Sequence, residues 1–96
     1  MRKPQSSNTT QATFHYTDGQ AETFNIPLSP DQFYQQLDAV TSSQNWLILQ
    51  LFDQTVTIRL QQLVKVEIKP VVPNLQGQGI LPNAERMTAL QRGARR

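Results

Sequence analysis

Apolar and polar positions alternate with period two along three stretches of the chain and follow a helical period along a fourth. The first stretch, "ATFHYTDGQAETFNI", reads as a hairpin turning near Asp18 and Gly19. A two-residue Asp-Gly loop would pair Phe14 with Thr23 and send Phe24 to the opposite face. A three-residue loop from Asp18 to Gln20 pairs Phe14 with Phe24 and Ala12 with Ile26, which gathers the apolar residues on one face. The spacing therefore favours the longer loop, with Gly19 left-handed.

"PLSPDQFYQQLDAV" predicts a helix. Ser29 is a good N-cap, Pro30 suits the first helical position and Gln32 completes a capping box. Asp31 lies favourably at the positive end of the helix dipole. Phe33, Leu37 and Val40 follow at i, i+4 and i+7 and form one apolar stripe. Turn formers in "TSSQN" end the helix.

"WLILQLFDQTVTIRL" predicts a second hairpin with Asp53 and Gln54 at its turn. That register sets Leu51 against Val56, Leu49 against Ile58 and Leu47 against Leu60, an aliphatic face on which the helix can rest. The other face carries Trp46, Ile48, Gln50, Phe52, Thr57 and Arg59. "QQL" makes a tight bend, and "VKVEIKP" then alternates Val64, Val66 and Ile68 inward with Lys65, Glu67 and Lys69 outward. Pro70 ends the strand.

The predicted fold class is α+β: one small domain in the order β-β-α-β-β-β, an antiparallel sheet curled toward a half-open roll or barrel, one helix packed on it. Residues 11–70 make the domain. Residues 1–10 have no hydrophobic period and are expected to be disordered. Residues 71–96 form a linker with prolines and glycines, then a basic tail. Within the tail "NAERMTALQR" can form a short helix capped by Asn83, too short to hold its shape alone.

Charge changes this picture only when divided along the chain. Between Gln11 and Lys69 six acids face three cations, a net −3. Arg2 and Lys3 add +2 at the front, and Arg86, Arg92, Arg95 and Arg96 against Glu85 give +3 at the end. A basic tail on an acidic body is an interaction signature more than a fold signature. The chain has no cysteine, which removes disulfides, thiol catalysis and cysteine zinc sites and fits a reducing, cytoplasmic setting. "WLIL", the longest apolar run, is far too short to span a bilayer.

Catalytic chemistry has few parts to draw on. His15 is the sole histidine and is expected to fill the polar face of the hairpin, since a general base needs a positioned partner and a pocket. Asp31 and Asp38 lie two turns apart with nothing to drive their acidities apart. The "GQG" at Gly77 to Gly79 lacks the strand, helix and third glycine of a dinucleotide site. An enzyme is not expected, nor a metal site, nor any cofactor.

The stretches "YTDGQAETFNI" and "WLILQLFDQTVTIRLQQLVKVEIKP", with their glutamine-rich texture, resemble small uncharacterised cyanobacterial proteins over roughly residues 12 to 70. That resemblance implies a cytoplasmic or stromal-side protein attached to a larger assembly and assigns no residue a role. The curled sheet also resembles Sm-like and SH3-like barrels. An Sm-like chain begins with its helix, whereas here two strands precede it, so no RNA-ring analogy is carried over.

The expected function is that of a non-enzymatic adaptor or accessory subunit that binds a protein partner or larger assembly. Its expected contacts are Ile80, Leu81, Met87 and Leu90 in the tail, with Arg86, Arg92, Arg95 and Arg96 meeting an acidic rim. The sheet face with Trp46, Phe52 and Arg59 is a further candidate, because Trp and Arg are common binding hot spots, although ordinary burial under the first hairpin would also account for it. The alternative is a small nucleic-acid-binding regulator using the tail arginines with Lys65 and Lys69. Homo-oligomer formation through the Trp46 face is a third reading.

Overall fold

A computed structural model of the protein describes residues 8–87. The expectations placed on residues 1–7 and on Leu90, Arg92, Arg95 and Arg96 lie outside the described residues. The elements run β1 (Thr10–Tyr16), β2 (Ala21–Ile26), α1 (Pro30–Ser43), β3 (Trp46–Gln50), β4 (Thr55–Arg59), a 3-10 turn (Leu60–Gln62) and β5 (Leu63–Lys69). The fold is α+β in the expected order. In place of one curled sheet there are two antiparallel sheets, one ordered β2-β1-β5 and the other β3-β4, and neither closes into a barrel. β1 opens at Thr10, the last residue of the stretch expected to lack structure; its side chain is buried and its Oγ1 donates to the Leu28 carbonyl at 2.7 Å.

Both hairpins keep the predicted parity but slide by two residues. β1 and β2 pair Ala12 with Phe24 and Phe14 with Glu22, so Phe14 and Phe24 meet diagonally with ring centroids 5.8 Å apart. The cause is Gly19. A type I turn followed by a left-handed residue needs glycine third in the loop, which makes the loop Thr17, Asp18 and Gly19. Gly19 has φ +91° and donates to the Tyr16 carbonyl at 3.0 Å, while Tyr16 N–H donates to Gln20 at 2.8 Å. β3 and β4 pair Trp46 with Arg59, Leu47 with Ile58 and Leu49 with Val56. Leu51 N–H donates to the Gln54 carbonyl at 2.8 Å, which puts Phe52 and Asp53, not Asp53 and Gln54, at the tip.

The helix follows its local code. The Ser29 hydroxyl accepts from Gln32 N–H at 3.3 Å, the Gln32 side chain accepts from Ser29 N–H at 3.2 Å, and Pro30 opens the first turn. At the other end Asn45 adopts a left-handed φ of 62° and donates to the Val40 carbonyl at 2.9 Å, which turns the chain into β3. The core takes residues from every layer: Ala12, Phe14 and Ile26 from the larger sheet, Phe33 from α1, and Leu47 and Ile58 from the smaller. Phe14 and Phe33 meet edge to face at 6.4 Å.

Val64 departs from its expected inward position. β5 pairs with β1 through Lys65 to His15 and Leu63 to Tyr16, so Val64 is an extra residue between two pairs. That bulge turns Val64 out to 67% exposure and lets Leu63 pack against the core. Val66 and Ile68 face inward as the alternation requires.

Candidate protein-binding face

The first hairpin pairs with β5 through β1 and does not cover the outer face of β3–β4. Burial of that face is thereby overturned. Trp46 is 38% exposed, Ile48 53% and Phe52 fully exposed. Trp46 and Arg59 are direct cross-strand partners, with the guanidinium 5.0 Å from the indole centroid. Such a contact at an exposed site contributes about 0.5–1 kcal/mol. Ile48 lies beside Thr57, and Gln50 beside Thr55, whose hydroxyl donates to the Gln50 side chain. Phe52 belongs to the hairpin tip rather than to the strand face where the alternation had placed it. The face thus offers an aromatic-cation pair at one end, an aliphatic centre, and an unsupported aromatic ring at the other.

The described part of the tail is only partly free. Ile80 is half-buried, Leu81 is 81% exposed and Met87 is 63% exposed. Arg86 donates to Glu67 Oε2 at 2.8 Å, which fastens the C-terminal segment to β5. Asn83 has a left-handed φ of 64°, not the extended backbone of an N-cap, and residues 84–87 carry no helical turn. The structure does not bring Arg86 and Met87 together with Trp46, Phe52 and Arg59 into one packed cluster.

His15 has a partner that spacing did not reveal. Its Nε2–H donates to Glu67 Oε1 at 2.8 Å. That hydrogen bond, helped by the charges of Lys65, His15 and Arg86, holds the Glu67 carboxyl below the usual range even though local desolvation acts the other way. Parity carried the signal: His15 and Glu67 both occupy the outward positions of neighbouring strands. The cluster lies on an open sheet surface, and no group of three metal-ligating side chains exists among the described residues. On the same hairpin, the Tyr16 hydroxyl donates to Glu22 at 2.6 Å; desolvation and then that bond push its pKa up to about 12.

The sequence reading also missed a groove of about 310 Å³ between β2 and β3, floored by Phe33 and Gln36. The available signal was the insertion of α1 between these strands, which prevents them from pairing as a hairpin. Among the described residues no helix is long and apolar enough to cross a membrane. No protein-family model, curated protein or solved structure matches the chain.

Proposed function

We infer that this protein is a non-enzymatic adaptor or accessory subunit that binds a protein partner through the outer face of β3–β4, with the C-terminal segment adding contact area. The observation that carries this reading is the uncovered trio Trp46, Ile48 and Phe52 beside Arg59. Scattered apolar residues on a surface need no explanation, but three large apolar side chains exposed along one hairpin, two of them aromatic, suit an interaction site. Binding there covers Ile48 and Phe52, and the Trp46–Arg59 pair supplies a preformed anchor of the type that dominates interface energetics. Loss of such an anchor costs about 2 kcal/mol, or roughly 30-fold in affinity. Leu81 and Met87 are exposed apolar residues that suit a secondary contact.

The nucleic-acid alternative finds less support. Arg86 is already engaged by Glu67, and the body is acidic. A salt titration of the full chain against labelled single- and double-stranded nucleic acid, read by fluorescence anisotropy, separates the two. The protein-binding reading expects no association even at low salt. Tight association that weakens steeply with salt overturns it, because that slope counts phosphates neutralised by cations.

A further inference from the structure

We propose that the groove between β2 and β3 is a slot for a single extended strand donated by a different protein, which would join the two sheets into one. The proposal rests on the protein-binding reading above; the groove shares Ile48 and Phe52 with that face but includes neither Trp46 nor Arg59, so Trp46→Ala separates the two.

The identity of the walls carries the argument. Every residue from 24 to 28 lines one wall, and every residue from 47 to 51 lines the other. Side chains alternate across a strand, so a sheet face would contribute only every second residue. Residues 24–26 of the first run belong to β2 and residues 47–50 of the second to β3, so strand edges make up most of both walls, with Pro27, Leu28 and Leu51 continuing them past the strand ends. β2 pairs only with β1, and β3 only with β4, so each wall presents backbone N–H and C=O groups without a ladder partner among the described residues. Such an edge is a template for another strand. Here two templates face one slot, whose floor is the buried ring of Phe33 together with Gln36. The opening continues past Asn25, Pro27 and Gln50 to Leu51 and the exposed ring of Phe52.

The occupant follows from the same walls. Both rows of backbone groups are served at once only by a lone strand with two free edges, giving the order β4-β3-X-β2-β1-β5. A second copy cannot supply β3 this way, because its own β4 occupies one edge. Residues 70–87 of this chain do not line the groove, and Pro70, Pro73 and Pro82 remove donors from that stretch. No lining residue is ionisable: the polar ones are the amides of Asn25, Gln36 and Gln50. A charged strand would lose hydration there without an opposite charge to replace it. The fitting segment is therefore uncharged, with apolar side chains at alternate positions and amide or hydroxyl side chains between them.

The test selects displayed random peptides of roughly nine residues, about 30 Å when extended, on the full-length protein. The selected peptide is then synthesised plain and with N-methyl groups on either alternate set of its backbone amides. An inserted strand points successive N–H groups at opposite walls, so methylation of either set should weaken binding by about tenfold or more. Selected peptides should be uncharged with period-two apolar positions, and binding should slow amide exchange in β2 and β3. Asn25→Lys and Gln50→Lys, at exposed positions the fold tolerates, should each weaken binding by about tenfold or more, while Trp46→Ala leaves it unchanged. The proposal is overturned if no peptide is selected, if helical or proline-rich patterns emerge, or if protection falls elsewhere. Sensitivity to only one methylated set means addition to one sheet edge and also overturns it. A concentration-dependent doubling of mass abolished by Gln50→Lys would give the edges to a second copy instead. Binding lost in Trp46→Ala but kept in both lysine variants would sink the slot and leave the Trp46 face as the binding site.

Discussion

Replacing Phe33 tests whether one core holds both sheets. Phe33 is 2% exposed, meets Phe14 edge to face at 6.4 Å, and contributes the helix's largest buried side chain to the one core that also holds Ala12, Phe14 and Ile26 of the larger sheet and Leu47 and Ile58 of the smaller. The ordered domain spans about 60 residues from Thr10 to Lys69, which sets a total stability of about 3–9 kcal/mol. Phe33→Ala removes about 3–5 kcal/mol and so unfolds much or all of the population. Phe33→Leu is the graded version: it keeps apolar bulk but forfeits the aromatic pair, for a loss of about 0.5–1.5 kcal/mol. Phe52→Ala removes the same ring from an exposed tip and should stay within about 0.5 kcal/mol of the parent. Urea denaturation, followed by far-ultraviolet circular dichroism and by the fluorescence of Trp46, gives all three values. Trp46 reports on the smaller sheet and the dichroism on the whole, so coincident transitions in Phe33→Leu mean that the layers melt together. Separate transitions, or a Phe52→Ala loss as large as that of Phe33→Leu, would refute a shared core centred on Phe33.

Ser29→Ala removes the hydroxyl that accepts from Gln32 N–H and should cost about 1 kcal/mol by the same denaturation assay. The Tyr16 phenol, read by ultraviolet absorbance in a Tyr34→Phe background, should titrate near 12, and Glu22→Gln should bring its midpoint down toward the ordinary value of 10. Because the folded value is raised, the neutral phenol's contribution to stability is complete below pH 10 and is lost as the pH rises through about 12. Trp46, 38% exposed on an uncovered face, should be quenched by acrylamide in the native protein, and an unquenched native indole would mean that the face is covered.

Local chemistry was readable in advance, and long-range pairing was not. The Ser29–Pro30–Gln32 cap and the stop before Asn45 are decided within one helical turn, so the residues alone reveal them. Alternation reveals which of Phe14, Phe24, Leu47, Leu49, Val56 and Ile58 share a face, yet it is blind to a slide of two residues, which preserves every face. Turn chemistry held the answer for the first hairpin, since Gly19 must be third in its loop, but setting Phe14 directly opposite Phe24 favoured the loop from Asp18 to Gln20 instead. Nothing in the unbroken alternation of "VKVEIK" marks the bulge at Val64, which depends on its pairing with β1. The division into two sheets is also non-local: it depends on β1 choosing β5 and on α1 holding β2 apart from β3. For the candidate site, residue types suggested Trp46 and Arg59 and parity placed them together, but only the tertiary arrangement leaves their face uncovered. The groove had no mark beyond the insertion of α1 between β2 and β3 and the absence of charge from Gln44 to Phe52.

The central claim, that the β3–β4 face engages a protein, is tested most directly by a photo-crosslinking residue at position 48 in the full-length chain, activated in cells that produce it. The account predicts a discrete protein adduct that disappears with Phe52→Ser or Trp46→Ala and survives nuclease and single replacement of Arg92, Arg95 or Arg96. An adduct digested by nuclease, or none at position 48 while a crosslinker at position 35 on the helix captures protein, would contradict it.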